Sequence, residues 1–153
     1  MGRKSTRANK TVYQLAREEA GLTRAQASEK LDFMIERRIE RIEYGALPSS
    51  DEVVAMADAY NKPELCNYYC THECEIGPRY VPEIEKADNL SAIVLEILAS
   101  LNTLSRDQER LIEITADGAI SEDEMADFQK IRKKLDDMSL TIEALKLWLD
   151  KKK

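Results

Sequence analysis

Apolar residues recur along this chain at spacings of three and four, in runs of two different lengths. Before Pro63 the runs are short. Val12, Leu15, Ala16 and Ala20 predict a helix ended by Gly21, which is free to take the left-handed conformation that helix ends often need. Thr23 is placed to cap a second helix that turns Ala27 and Leu31 inward. Ile35, Ile39 and Ile42 form the apolar stripe of a third, which stops at Gly45 and projects Arg37, Arg38 and Arg41 from its other side. Pro48-Ser49-Ser50-Asp51 opens a fourth over Asp51 to Tyr60, with Val53, Val54, Met56 and Ala57 available to a core. After Glu83 the runs lengthen. Val94, Ile97, Leu101, Leu104, Gln108, Leu111 and Thr115 step by three and four, as do Phe128, Ile131, Leu135, Met138, Ile142, Leu145 and Leu149, which is the spacing of a coiled-coil seam. Asp117-Gly118 turns the chain between them, Ser121 with Glu124 is a capping-box signature, and an interruption is allowed near Asn102 to Ser105.

Two short amphipathic helices joined by a few residues, at Leu22–Leu31 and Ile35–Tyr44, have the layout of a helix-turn-helix. The run from Thr11 through Leu65 resembles the DNA-binding domain of the Cro and phage-repressor type, the Xre family. The likeness is carried by Leu22-Thr23 opening the second helix, by Arg41-Ile42-Glu43-Tyr44-Gly45 closing the third, and by the proline-led fourth. It implies that the third helix enters a major groove with Ile35, Glu36, Arg37 and Arg38 at base-reading positions, and that Arg24 contacts the DNA backbone. The sequence departs from the family in the turn: Asp32-Phe33-Met34 stands where a small residue is usual, and the connection is one residue longer.

Charge is unevenly spread. Residues 1 to 48 hold ten Lys and Arg against seven Asp and Glu, and the rest holds thirteen against twenty-two, for a formal net charge of −6. A locally basic face can bind a duplex while the acidic remainder keeps the molecule in solution. Residues 1 to 10 carry Arg3, Lys4, Arg7 and Lys10 without an acidic residue, which suits a flexible arm that orders along DNA. Local pairing of Glu36 and Glu40 with Arg37 and Arg41 is the competing use of the third helix's charge.

Between Pro63 and Pro82 the text changes. Cys66, Cys70 and Cys74 are spaced by four, on one face if the segment is a straight helix, with His72, the sole histidine, beside them. Thiolates and imidazole suit zinc or an iron-sulfur cluster. No second ligand pair follows, so the alternative is reduced cysteines packing the junction together with Tyr68, Tyr69 and Tyr80. Three cysteines, no apolar run of about 18 residues and no apolar leader point to a reducing, cytoplasmic setting without a membrane span. No phosphate loop and no paired carboxylates in an active-site pattern are present, so no enzyme is expected.

The expected fold is all-α: a basic arm (1–10), a five-helix repressor-like helix-turn-helix domain (11–65), a cysteine-rich junction (66–82) that resembles junctions in other small Xre-like proteins, and a long antiparallel helical hairpin (83–153). The expected function is sequence-specific binding of double-stranded DNA by a homodimeric transcriptional regulator, through Arg24, Arg37, Arg38 and Arg41, with no required cofactor. Two alternatives stay open. One is a protein-interaction module on a helix-turn-helix that no longer binds DNA, suggested by Glu36, Glu40 and Glu43 in the would-be recognition helix; the other is metal or redox sensing at Cys66, Cys70 and Cys74.

Overall fold

A computed structural model describes residues 9–84 and 89–152, so residues 1 to 8 of the expected arm (1–10) lie outside the described residues. Every described element is helical, and the chain divides into two compact units between Glu83 and Ile84.

The first unit begins with α1 (Val12–Glu19), α2 (Arg24–Lys30), α3 (Glu36–Glu43), α4 (Ser50–Tyr60) and α5 (Glu64–Tyr68). Local chemistry sets most of the boundaries. The Thr11 hydroxyl accepts from the Gln14 N–H at the start of α1, and Gly21 takes φ +72° beyond its end. Thr23 and Gln26 close a reciprocal capping box on α2, and Ser49 with Glu52 closes another on α4. Gly45 at φ +104° ends α3 as the sequence predicts.

Tyr13, Ala16, Ala27, Leu31, Met34, Ile39, Ile42, Val53, Met56, Ala57, Tyr60 and Leu65 form the core of this unit. Leu15, Ile35 and Val54 do not join it; each is exposed. For Ile35 the cause is the turn at residues 31–35. Asp32 adopts φ +45°, a left-handed conformation that Asp tolerates better than most residues. The chain then drops Met34 into the core, and the Ser28 hydroxyl donates to its carbonyl at 2.7 Å. Ile35 is left as the extended N-cap of α3, pointing outward. The longer turn is thus accommodated by exchanging one apolar residue for another.

The junction packs on this same core. Cys66, Tyr68 and Tyr69 lie against it, and the buried Tyr13 hydroxyl donates to Glu73 at 2.6 Å. Residues Tyr69–Glu73 form a π-helical turn, closed by the Cys74 N–H donating to the Tyr69 carbonyl at 2.9 Å. Cys74 itself is extended, so the three cysteines do not share a straight helical face. A short 3-10 turn, Gly77–Arg79, then folds back so closely that a Cβ on Gly77 would lie 1.6 Å from the Cys70 carbonyl oxygen. Tyr80 is largely exposed and adds nothing to the packing.

The second unit is an antiparallel pair, α6 (Leu90–Thr115) and α7 (Glu122–Asp150), turned at Gly118 with φ +77°. Helix α6 runs without interruption through Asn102 to Ser105. The Ser121 N–H donates to Glu124 at 3.0 Å to start α7. The seam is displaced from the apolar series. Ile97, Leu104 and Leu111 are sheltered as expected, but they alternate with Ile93, Ser100, Asp107 and Ile114 in place of Val94, Leu101, Gln108 and Thr115. On α7, Ile131, Met138 and Leu145 alternate with Lys134, Thr141 and Trp148, and Leu135, Ile142 and Leu149 are exposed. Two cross-helix ion pairs accompany this register: Lys134 donates to Asp107, and Arg110 meets Asp127 at 3.2 Å. A seam shifted by one residue would move these four charges off their partners.

Candidate nucleic-acid interface

Helix α3 is held from behind by charge as well as by apolar packing. Ile39 and Ile42 are buried, and so is Glu43. Its carboxylate accepts from Arg17 Nε at 2.5 Å and Nη2 at 3.2 Å, and from Arg24 Nε at 2.8 Å. Arg17 is buried too, and its Nη1 donates to the Leu22 carbonyl, the last residue before the Thr23 cap of α2. One carboxylate therefore joins α1, α2 and α3, with each buried charge matched by fork-shaped hydrogen bonds.

Arg24 is engaged further: Nη1 reaches Glu40 at 3.1 Å, and the guanidinium carbon lies 5.7 Å from the centre of the Tyr44 ring. Arg38 behaves likewise on the other side of the helix. Its Nε and Nη2 each donate to Glu52 at 2.6 Å, and Nη2 also reaches the Leu47 carbonyl at 3.1 Å. The Arg38 guanidinium, more than any other contact, holds the Glu52 carboxyl below its ordinary value. Glu52 also accepts from the Ser49 N–H, so the clamp is built into the N-terminus of α4.

Of the four arginines singled out from the sequence, Arg24 and Arg38 are thus tied down as struts between helices. Arg37 and Arg41 are different. They lie one helical turn apart, both are exposed, and neither meets a carboxylate among the described residues. Local pairing with Glu36 and Glu40, the competing use of this charge, is not formed among the described residues, and Glu40 is taken by Arg24. Phe33 and Ile35 before α3 and Tyr44 after it are each at least 60% exposed. Among the described residues α3 therefore exposes Arg37 and Arg41 without a carboxylate partner, with Glu36 exposed in its first turn.

Sequence reasoning missed the Arg17–Glu43 link, although a signal was present. Arg17 lies four residues past Tyr13 and Glu43 four past Ile39, which places a charge of each sign on an inward helical face.

The cysteines present a different picture. Cys66 is packed on the core, and burial pushes its thiol above the ordinary value, which disfavours the thiolate that metals and oxidants need. His72 stacks on Tyr68 at 4.5 Å and meets Glu83 at 3.3 Å. Among the described residues no three His, Cys, Asp or Glu side chains gather in a group that could hold a metal ion.

These features define a small helical domain that presents one helix of a close pair on a partly basic, partly apolar outer face. Residues 14–65 match a family model described as helix-turn-helix, a family of DNA-binding regulators and not of enzymes. The match spans about a third of the chain and supports a DNA-binding regulator in general. No curated protein and no solved structure matches the chain. Among the described residues no helix is long and apolar enough to cross a membrane.

Proposed function

We propose that this protein is a sequence-specific, DNA-binding transcriptional regulator that works as a dimer and docks α3 in a major groove. The observation that carries the reading is the division of labour among the arginines. Arg17, Arg24 and Arg38 neutralise the carboxylates of Glu43, Glu40 and Glu52 and fix α3 in place, which leaves Arg37 and Arg41 exposed on the outer face. Cations in that position meet phosphate or the acceptor edge of guanine, and the apolar side chains beside them fit thymine methyl groups. Arg24 and Arg38 act in this scheme by positioning the helix. One such module makes few contacts, so two copies on half-sites a helical turn apart are needed for useful specificity.

The interaction-module alternative drew its support from Glu36, Glu40 and Glu43. With Glu43 buried and Glu40 paired, Glu36 is the carboxylate of α3 left without a cation among the described residues.

The test is selection from a pool of genomic fragments across a salt series starting at about 50 mM. Enrichment of a site with two-fold symmetry and a steep salt slope is the expected result. No retardation of any duplex at the lowest salt would overturn the reading.

A further inference from the structure

The π-helical turn Tyr69–Glu73 carries Cys70 and is closed by the backbone of Cys74, whose N–H donates to the Tyr69 carbonyl at 2.9 Å. In an α-helix, positions four apart are offset by about 40° around the axis. A π turn, bonded five residues apart, is wider and removes most of that offset, so Cys74 stacks over Cys70. Cys74 has φ −86°, still close to helical, which keeps its Cβ on that side; ψ 131° bends the chain away only afterwards. The two are about one helical turn apart, roughly 5–6 Å, within the span of about 4.4–6.8 Å between the Cα atoms of a disulfide. Both thiols are free and partly exposed. Cys66, an ordinary helical turn before Cys70, is packed on the core, and burial pushes its thiol up.

We propose that Cys70 and Cys74 form a thiol–disulfide pair that exchanges with low-molecular-weight disulfides and thereby sets the DNA affinity of α3. One of the two thiolates attacks a small disulfide, RSSR, giving a mixed disulfide and releasing RSH. The second thiol gives up its proton, attacks the protein sulfur of that adduct and expels the second RSH. Two thiols are thus oxidised to one S–S bond while RSSR is reduced to two RSH. Closing the bond draws the two Cβ atoms to about 3.8 Å, less than a helical turn, so the stretch between them must tighten. Glu73 lies in that stretch and accepts the Tyr13 hydroxyl at 2.6 Å. Tyr13 stands one turn before Arg17 on α1, and Arg17 holds Glu43 of α3 through Nε at 2.5 Å. The reduced turn anchors Tyr13 and keeps α3 placed; the disulfide pulls on that anchor. Control of affinity rests on the DNA-binding reading, whereas the pair itself does not.

Glutathione disulfide, added to the full chain, is the probe. The wild type should lose two of its three thiols and about 2 Da of mass, with no glutathione retained. Cys70→Ser and Cys74→Ser should each stop at a mixed disulfide with glutathione. Urea should erase the preference for this pair, because the unfolded chain no longer stacks Cys74 over Cys70. On a selected duplex the disulfide form should bind at least about 5-fold more weakly than the reduced form, and dithiothreitol should restore the affinity. Tyr13→Phe should bind alike in both redox states. Three surviving wild-type thiols, or an internal disulfide that persists in either serine variant, would overturn the pair. Equal affinity of the two wild-type forms, or a Tyr13→Phe chain that stays redox-sensitive, would overturn the control through Glu73. A disulfide that forms in a chain binding no duplex would sink the DNA reading and leave the pair standing.

Discussion

Arg17 and Glu43, 26 residues apart in the sequence, form a forked ion pair that is closed off from solvent inside the amino-terminal core. The pair fixes where α3 sits, because Glu43 occupies the last position of that helix and Arg17 belongs to α1. Removing Glu43 leaves the Arg17 charge buried without a carboxylate, and removing Arg17 leaves the buried Glu43 with Arg24 alone. Arg17→Met and Glu43→Leu should each cost about 3–5 kcal/mol of unfolding free energy, measured by urea denaturation. The double variant should lose much less than the sum. Additive losses would mean that the two charges do not stabilise one another.

The Arg38–Glu52 clamp predicts a pH dependence of known sign. The Glu52 carboxyl is held below its ordinary value in the folded chain, so the folded state binds its proton less readily than the unfolded state. Its contribution is therefore fully present above about pH 4.5, the region of the unfolded carboxylate, and is lost as pH falls through the lower folded value. Arg38→Ala should lower stability by about 1–3 kcal/mol at neutral pH. The difference from wild type should shrink on acidification, as followed by urea midpoints from pH 7 to pH 3.

Arg37 and Arg41 should show the opposite behaviour. With no carboxylate to lose, Arg37→Ala and Arg41→Ala should leave stability within about 0.5 kcal/mol of wild type. Each should reduce the slope of log affinity against log salt by about 1 if it neutralises a phosphate, or relax one base preference if it reads guanine. Unchanged affinity and selectivity in both variants would remove α3 from the interface.

Ile35 stands exposed at the start of α3, where an apolar side chain can meet a thymine methyl group. Replacing thymine by uracil at successive positions of a selected site should reveal at least one position where wild-type binding weakens. Ile35→Ala should abolish that sensitivity while leaving the salt slope unchanged.

Gly77 is required by space. A Cβ there would overlap the Cys70 carbonyl, which is backbone and cannot rotate away. Gly77→Ala should cost about 1–3 kcal/mol through the displacement it forces. A thermal melt with an unshifted midpoint would mean that the π-helical turn and the 3-10 turn separate at little cost.

Periodicity and capping chemistry are local, and so the sequence by itself determined the order and type of the elements. Thr23, Ser49 and Ser121 cap helices in the folded chain, and Gly21, Gly45 and Gly118 end or turn them, because these residue types satisfy or release the backbone over three or four positions whatever surrounds them. What pairs with what was decided only in three dimensions. Ile35 lost its core place to Met34 once Asp32 took a left-handed turn, and Arg24 and Arg38 were claimed by Glu43, Glu40 and Glu52 from 12 or more residues away. The long helices show the same limit. Their three-four pattern admits two seams that differ by a single residue. Spacing alone favoured the more apolar one, but the folded pair buries Ile93, Ile114 and Ile131 along the other and sets Asp107 beside Lys134 and Arg110 beside Asp127. A charge buried or paired across two helices has a partner that no short window of sequence contains, so only tertiary packing could choose between the two faces.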